Sequence, residues 1–216
     1  MTTGDLFSRV RSGLADVRER IARAGGDDRV SIVAVTKSFG PDAIEAAIAA
    51  GCRAIGENYA QELLAKRAAA ERAEVHFIGQ LQTNKVRQIA GLVDVYETVD
   101  RARLAKEIAK RDPGATVLVQ VDTTAEPGKG GVPLTDLDEL VEQVRQTGLD
   151  LAGLMTVGPT EGGPAAAAPG FRQVRAAVDR LDLAVCSMGM TADLEVAVAE
   201  GSTQVRVGTA LFGART

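Results

Sequence analysis

The chain has 216 residues but only one histidine, two cysteines, no tryptophan and 3% aromatic residues. A single histidine, His76, and no Cys-x-x-Cys spacing leave too few ligands for a metal centre. Cys52 and Cys186 lie far apart, which excludes a disulfide framework. They read as small buried hydrophobes, and no histidine stands near either to activate a thiol. Scarce aromatics and a net charge of −4 supply neither the stacking platforms nor the basic footprint of a nucleic-acid binder. No apolar run reaches the ~20 residues that a bilayer span needs, because charge interrupts the alanine-rich stretches. The opening Met1-Thr2-Thr3-Gly4-Asp5 has neither the basic nor the apolar segment of a secretion signal. These absences predict a reduced, cytoplasmic protein with no membrane partner, folded as a single domain over residues 1–216.

What is present is alternation. An apolar stripe at Leu6, Val10, Leu14, Val17 and Ile21 predicts a first helix ending near Gly25-Gly26. Eight short strands then alternate with helical patterns: 30–36, 53–56, 75–78, 94–98, 116–122, 150–154, 183–186 and 204–207. Between them, helices are predicted over 41–50, 59–71, 84–90, 171–181 and 192–200. Two more follow, one capped by Asp100 and one opened by Thr135-x-x-Asp138. The run from Pro164 to Gly170, with its four alanines, reads as a flexible surface loop. Strands alternating with helices imply a parallel sheet with right-handed crossovers, and eight such units match an α/β fold of the (β/α)8 TIM-barrel type with an extra N-terminal helix. An open doubly wound sheet is the alternative, but its Gly-rich first turn is replaced by Thr36-Lys37-Ser38-Phe39-Gly40.

Reactive groups in such barrels sit at the C-terminal ends of the strands. Alternation on the first strand puts Val33, Val35 and Lys37 on one face. If that face points inward, Lys37 enters a partly dry mouth as a candidate Schiff-base nucleophile; otherwise it snorkels to solvent at the rim. Arg206 stands between Val205 and Val207 on the opposite face; pointing inward, it needs a fixed polar partner. The last two strand ends, with Ser187, Gly189, Gly208 and Thr209, offer hydroxyls and open main chain suited to a phosphate. Ordinary turn geometry would account for either loop alone. Asn58 is a ligand donor or a helix cap. His76 lies at the start of its strand and reads as a satisfied structural histidine, while Glu126 and Lys129 form either a lid contact or a solvated pair.

Five motifs, in order, resemble the pyridoxal 5′-phosphate (PLP) homeostasis proteins: Val35-Thr36-Lys37, Gly56-Glu57-Asn58-Tyr59-Ala60-Gln61-Glu62, His76 through Lys85, Ser187-Met188-Gly189-Met190, and Val205 through Gly213. The similarity runs from about Val30 to Arg215. It implies a barrel like the N-terminal domain of alanine racemase, holding PLP as an internal aldimine on Lys37. Ser187, Gly208 and Thr209 would hold the phosphate, Arg206 would face the pyridine nitrogen, and Asn58 and Met188 would line the pocket. Asp122, where asparagine is common, and the loop from Thr156 to Gly170 depart from the family's pattern.

By that resemblance the protein binds, stores and delivers PLP, with apo PLP-dependent enzymes as partners, no turnover of its own and a monomeric state. An arginine at the pyridine nitrogen leaves the ring unprotonated and weakens it as an electron sink. Neither tyrosine is an obvious second base: Tyr59 falls on a predicted helix and Tyr96 inside a predicted strand. Two other readings share the same residues. One is a small PLP-dependent amino-acid racemase; the other is a Schiff-base aldolase acting on a phosphorylated sugar.

Overall fold

The computed structural model describes residues 3–214, so Arg215, at the end of the resembling stretch, lies outside it. Its strands are β1 (Ser31–Val35), β2 (Ala54–Glu57), β3 (Glu74–Phe77), β4 (Val95–Val99), β5 (Thr116–Asp122), β6 (Val132–Pro133), β7 (Asp150–Thr156), β8 (Val185–Ser187) and β9 (Gln204–Val207). All pairings among them are parallel, in the order β4-β3-β2-β1-β9-β8-β7-β5, and β4 pairs with β5 to close the ring. The result is the eight-stranded (β/α)8 barrel that the alternation predicts. The two-residue β6, which the sequence pattern does not announce, pairs with β5 outside the ring.

Period-two alternation divides the residues between two layers. Ile32, Ala34, Val205 and Val207 point outward into a cluster with α1 (Thr3–Arg23) and α2 (Pro41–Ala49). Val95, Leu118 and Met155 form a small apolar group on the inner side of their strands. Leu6, Val10, Val17 and Ile21 are all buried, so α1 seats its stripe on the outer layer as predicted. Each such side chain contributes about 1.5–3 kcal/mol.

The remaining helices are α3 (Ala60–Ala65), α4 (Arg67–Ala70), α5 (Val86–Ile89), α6 (Ala102–Arg111), α7 (Leu137–Arg145), α8 (Gly163–Arg180), α9 (Leu194–Ala199) and α10 (Thr209–Phe212). Several differ from their predicted forms. The helix expected over 59–71 is broken at Lys66, which is drawn into the core, and Tyr59 precedes it rather than lying on it. A 3-10 turn over Thr83–Lys85 replaces the start of the helix expected over 84–90. Arg101, not Asp100, occupies the cap position of α6, and Asp100 pairs with Arg101 instead. Thr135 donates to Asp136 rather than capping α7.

The largest correction is α8. The predicted loop from Pro164 to Gly170 is its first two turns, with Pro164 in the first turn and Pro169 inside. Alanine is the strongest helix former, and Ala167 and Phe171, four apart, are both buried. Among the described residues, no helix is long and apolar enough to cross a membrane, and no cluster of metal-ligating side chains occurs.

Candidate functional site

Lys37 follows β1 at the C-terminal rim and is half-buried. It stands in the turn that follows the inward row of Val33 and Val35. β1 pairs with β9 in the register Ala34↔Val207, which sets the turn carrying Lys37 beside the turn of Gly208 and Thr209. A Cβ on Gly208 would stand 3.3 Å from the Val35 carbonyl oxygen, so the two turns approach closely. Gly208 is half-buried and Thr209 exposed.

Below the mouth, the inner face carries a polar network. Arg206 is buried; its Nη1 donates to the Ser187 carbonyl at 2.8 Å and to Ser187 Oγ at 2.6 Å, and its Nη2 donates to the Thr156 carbonyl at 2.6 Å. Ser187 Oγ in turn donates to Glu97 Oε2 at 2.6 Å and accepts from Gln204 Nε2 at 2.9 Å. Glu97 Oε1 accepts from Gln204 at 2.8 Å and lies 2.6 Å from His76 Nδ1. The chain ends at Glu74, 3.4 Å from His76 Nε2.

The charges in this network support one another. Burial alone would lower the His76 pKa, but its contacts with Glu74 and Glu97 outweigh that and raise it to about 9. Burial works to raise Glu97, yet His76, Arg206 and Ser187 together bring it below the ordinary carboxylate value. Burial also pulls Arg206 down from its usual value, opposed by Glu97 and Asp193. A guanidinium starts so high that it stays charged.

These contacts change two sequence expectations. A hydroxyl has one donor and two acceptor sites, and Ser187 Oγ uses all three within the protein, so it has no hydrogen left to give a phosphate. Met188 is fully buried in the cluster between barrel and helices, 3.7 Å from Cys186 Sγ, so its side chain does not line the mouth. His76 is satisfied in the interior, as its position suggested. Both cysteines are buried thiols pushed up to about 11, chiefly by burial.

The mouth itself holds a cavity of about 200 Å³, walled by Asn58, Gly79, Gln80, Gln120, Met155 and Lys129 among others. Asn58 Oδ1 is buried there and accepts no hydrogen bond. Asn58 and Gln80 also border a larger cleft, about 400 Å³, that opens sideways past Tyr59, Lys85 and Arg101. On the opposite rim Lys129 bonds Glu126 at 2.9 Å and the Gly158 carbonyl at 2.7 Å, while Glu126 accepts from Thr160. The pair thus ties the loop after β5 to the loop after β7. Asp122 accepts from Thr124 and Ala125 and shapes the start of the same loop.

A second polar cluster lies just outside the barrel wall, behind Lys37. Glu57 points outward from β2, fully buried; its Oε1 accepts from Thr36 Oγ1 at 2.6 Å and from Lys66 Nζ at 2.7 Å. Burial holds its carboxyl above the ordinary value although Lys66 and Thr36 pull the other way. Sequence reasoning assigned no role to Glu57, Lys66, Glu97 or Gln204. The available signal was parity: Glu97 and Gln204 occupy inner positions of their strands, as Arg206 does.

A family described as alanine racemase, N-terminal domain, matches residues 11–216. A pyridoxal phosphate homeostasis protein from Pseudomonas aeruginosa is 40% identical over 225 residues, covering 97% of each chain. Among solved structures, a protein of unknown function from Bifidobacterium adolescentis superposes with a TM-score of 0.89 at 33% identity, covering 98% of both chains. PipY of Synechococcus elongatus, solved with PLP bound, gives 0.80 at 32% identity, covering 91% of this chain and 100% of its own.

Proposed function

The chain belongs to the pyridoxal phosphate homeostasis proteins, and from that premise we propose that it binds PLP in the barrel mouth through Lys37 and serves PLP homeostasis in the cytoplasm without turning over a substrate. The observation that carries this reading is the β1–β9 register, which sets the lysine turn and the Gly208–Thr209 turn side by side. PLP supplies an aldehyde that a lysine amine can hold as a Schiff base with loss of water.

The residues present fit that group. Asn58 Oδ1 is a buried acceptor awaiting a donor at the cavity wall, and a ligand hydroxyl would satisfy it. Gly208 and Thr209 would hold the phosphate through open main chain and a hydroxyl. Three of the five Arg206 donors are engaged within the protein, leaving two for an acceptor such as a pyridine nitrogen. A donor-only guanidinium keeps that nitrogen unprotonated, which disfavours carbanion chemistry and supports a carrier over a racemase. Ser187 serves this arrangement by fixing Arg206, while Met188 packs beside Cys186 in the layer between barrel and helices. We read residues 1–216 as a single monomeric domain that passes PLP to apo-enzymes.

Absorbance tests the reading. Protein mixed with PLP should develop the visible band of a lysine-bound cofactor, and Lys37→Ala should lose it. Persistence of the band in that variant would refute Lys37 as the attachment point. Loss of optical rotation from L-alanine, well above the rate with free PLP, would favour the racemase.

A further inference from the structure

Lys37 sits between two peptide groups, and both are held from the same place. The carbonyl of the Thr36–Lys37 peptide accepts from Lys66 Nζ at 3.0 Å. The N–H of the Lys37–Ser38 peptide donates to Glu62 Oε2 at 2.7 Å. Lys66 and Glu62 themselves approach to 3.4 Å, and Lys66 is anchored by Glu57 at 2.7 Å, which also accepts from Thr36 Oγ1. Two peptide planes that share one Cα define its backbone dihedrals. Fixing both planes therefore fixes the direction in which the Lys37 side chain leaves the backbone, whatever that side chain carries.

The arrangement is costly to maintain. Lys66 is 5% exposed and interrupts its helix to reach inward, and Glu57 is fully buried with Oε2 unbonded. Ser38 adopts φ 64°, a left-handed conformation that a non-glycine residue holds only when its surroundings impose it. A salt bridge serving only to attach α3 and α4 to the barrel would not need to end on the two peptides flanking one lysine, and a buried ion pair adds little net stability over apolar packing.

We propose that Glu62 and Lys66, anchored by Glu57, are positioning residues that brace the Lys37 backbone for loading with an aldehyde cofactor. The proposal rests on the reading of Lys37 given above. A misdirected amine would reach the carbonyl carbon less often and release it sooner, because reactivity falls steeply with small displacements.

Glu62 is part-exposed, so Glu62→Ala should fold, and Glu62→Gln keeps an acceptor for the Ser38 N–H. Two readouts apply. In cofactor-free protein, hydrogen exchange at the Ser38 amide should be slow, become fast in Glu62→Ala and slow again in Glu62→Gln. With PLP added, growth of the visible band should slow on the order of tenfold in Glu62→Ala, the loss of one charge-assisted bond, with Tm little changed, and recover in Glu62→Gln. Lys66→Met should act in the same direction; if it fails to fold, Glu62→Ala decides. Native loading in a folded Glu62→Ala with an unprotected Ser38 amide would overturn the brace. A protected amide in native protein that never develops the band would instead overturn the reading of Lys37, and the brace's role in loading with it.

Discussion

His76 illustrates how one residue ties the interior to pH. Its folded pKa of about 9 stands above its ordinary 6.5, because Glu74 and Glu97 favour the charged ring more than burial disfavours it. The sign follows from linkage: the contribution is fully present below about pH 6.5 and is lost as pH rises through about 9. Denaturant unfolding at several pH values should therefore show stability declining over that interval, by on the order of 3 kcal/mol. His76→Gln should flatten that decline; an unchanged profile in the variant would assign it elsewhere. The same network engages the hydroxyl of Ser187, expected as a phosphate ligand in its Ser-Met-Gly turn, with Glu97, Gln204 and Arg206. Nothing local to its motif reveals that, since the three partners come from other strand positions.

Among the elements, α1 and α10 show a contact the sequence does not signal. A Cβ on Gly13 would stand 2.3 Å from the Ala210 carbonyl oxygen, so the two helices meet at backbone distance. Gly13→Ala must push them apart, and overpacking of this kind costs about 1–3 kcal/mol. Thermal unfolding should register a Tm several degrees lower; an unaltered Tm would mean the interface yields freely. Elements built on β-branched runs were the most legible: β5 and β9 occupy the residues that the pattern predicts. The first half of α8 was not, because glycine and proline near Pro164 and Gly170 signal a loop while alanine propensity and the burial of Ala167 and Phe171 favour helix. Lys66 was also hidden. Within a helical pattern it looks solvated, and only the docking of α3 and α4 over the end of β1 brings it to the Thr36 carbonyl.

For the molecule as a whole, the barrel was readable because eight strand-helix units leave few other closed solutions, whereas parity left the facing of Arg206 open until its bonds to Ser187 and Thr156 placed it on the inner side. What sequence spacing cannot supply is which polar groups meet inside, since the His76–Glu97–Ser187–Arg206 chain joins strands far apart in sequence. An interior network fixes the Arg206 cation, and Glu62 and Lys66 hold the two peptides that flank Lys37 from outside the barrel wall. The proposed attachment point for PLP is the amine of Lys37. Borohydride reduction of PLP-loaded protein, followed by peptide mass spectrometry, tests this most directly. The predicted result is one reduced pyridoxyl adduct on the peptide containing Lys37; an adduct confined to Lys66, Lys85 or Lys129, with Lys37 unmodified, would contradict it.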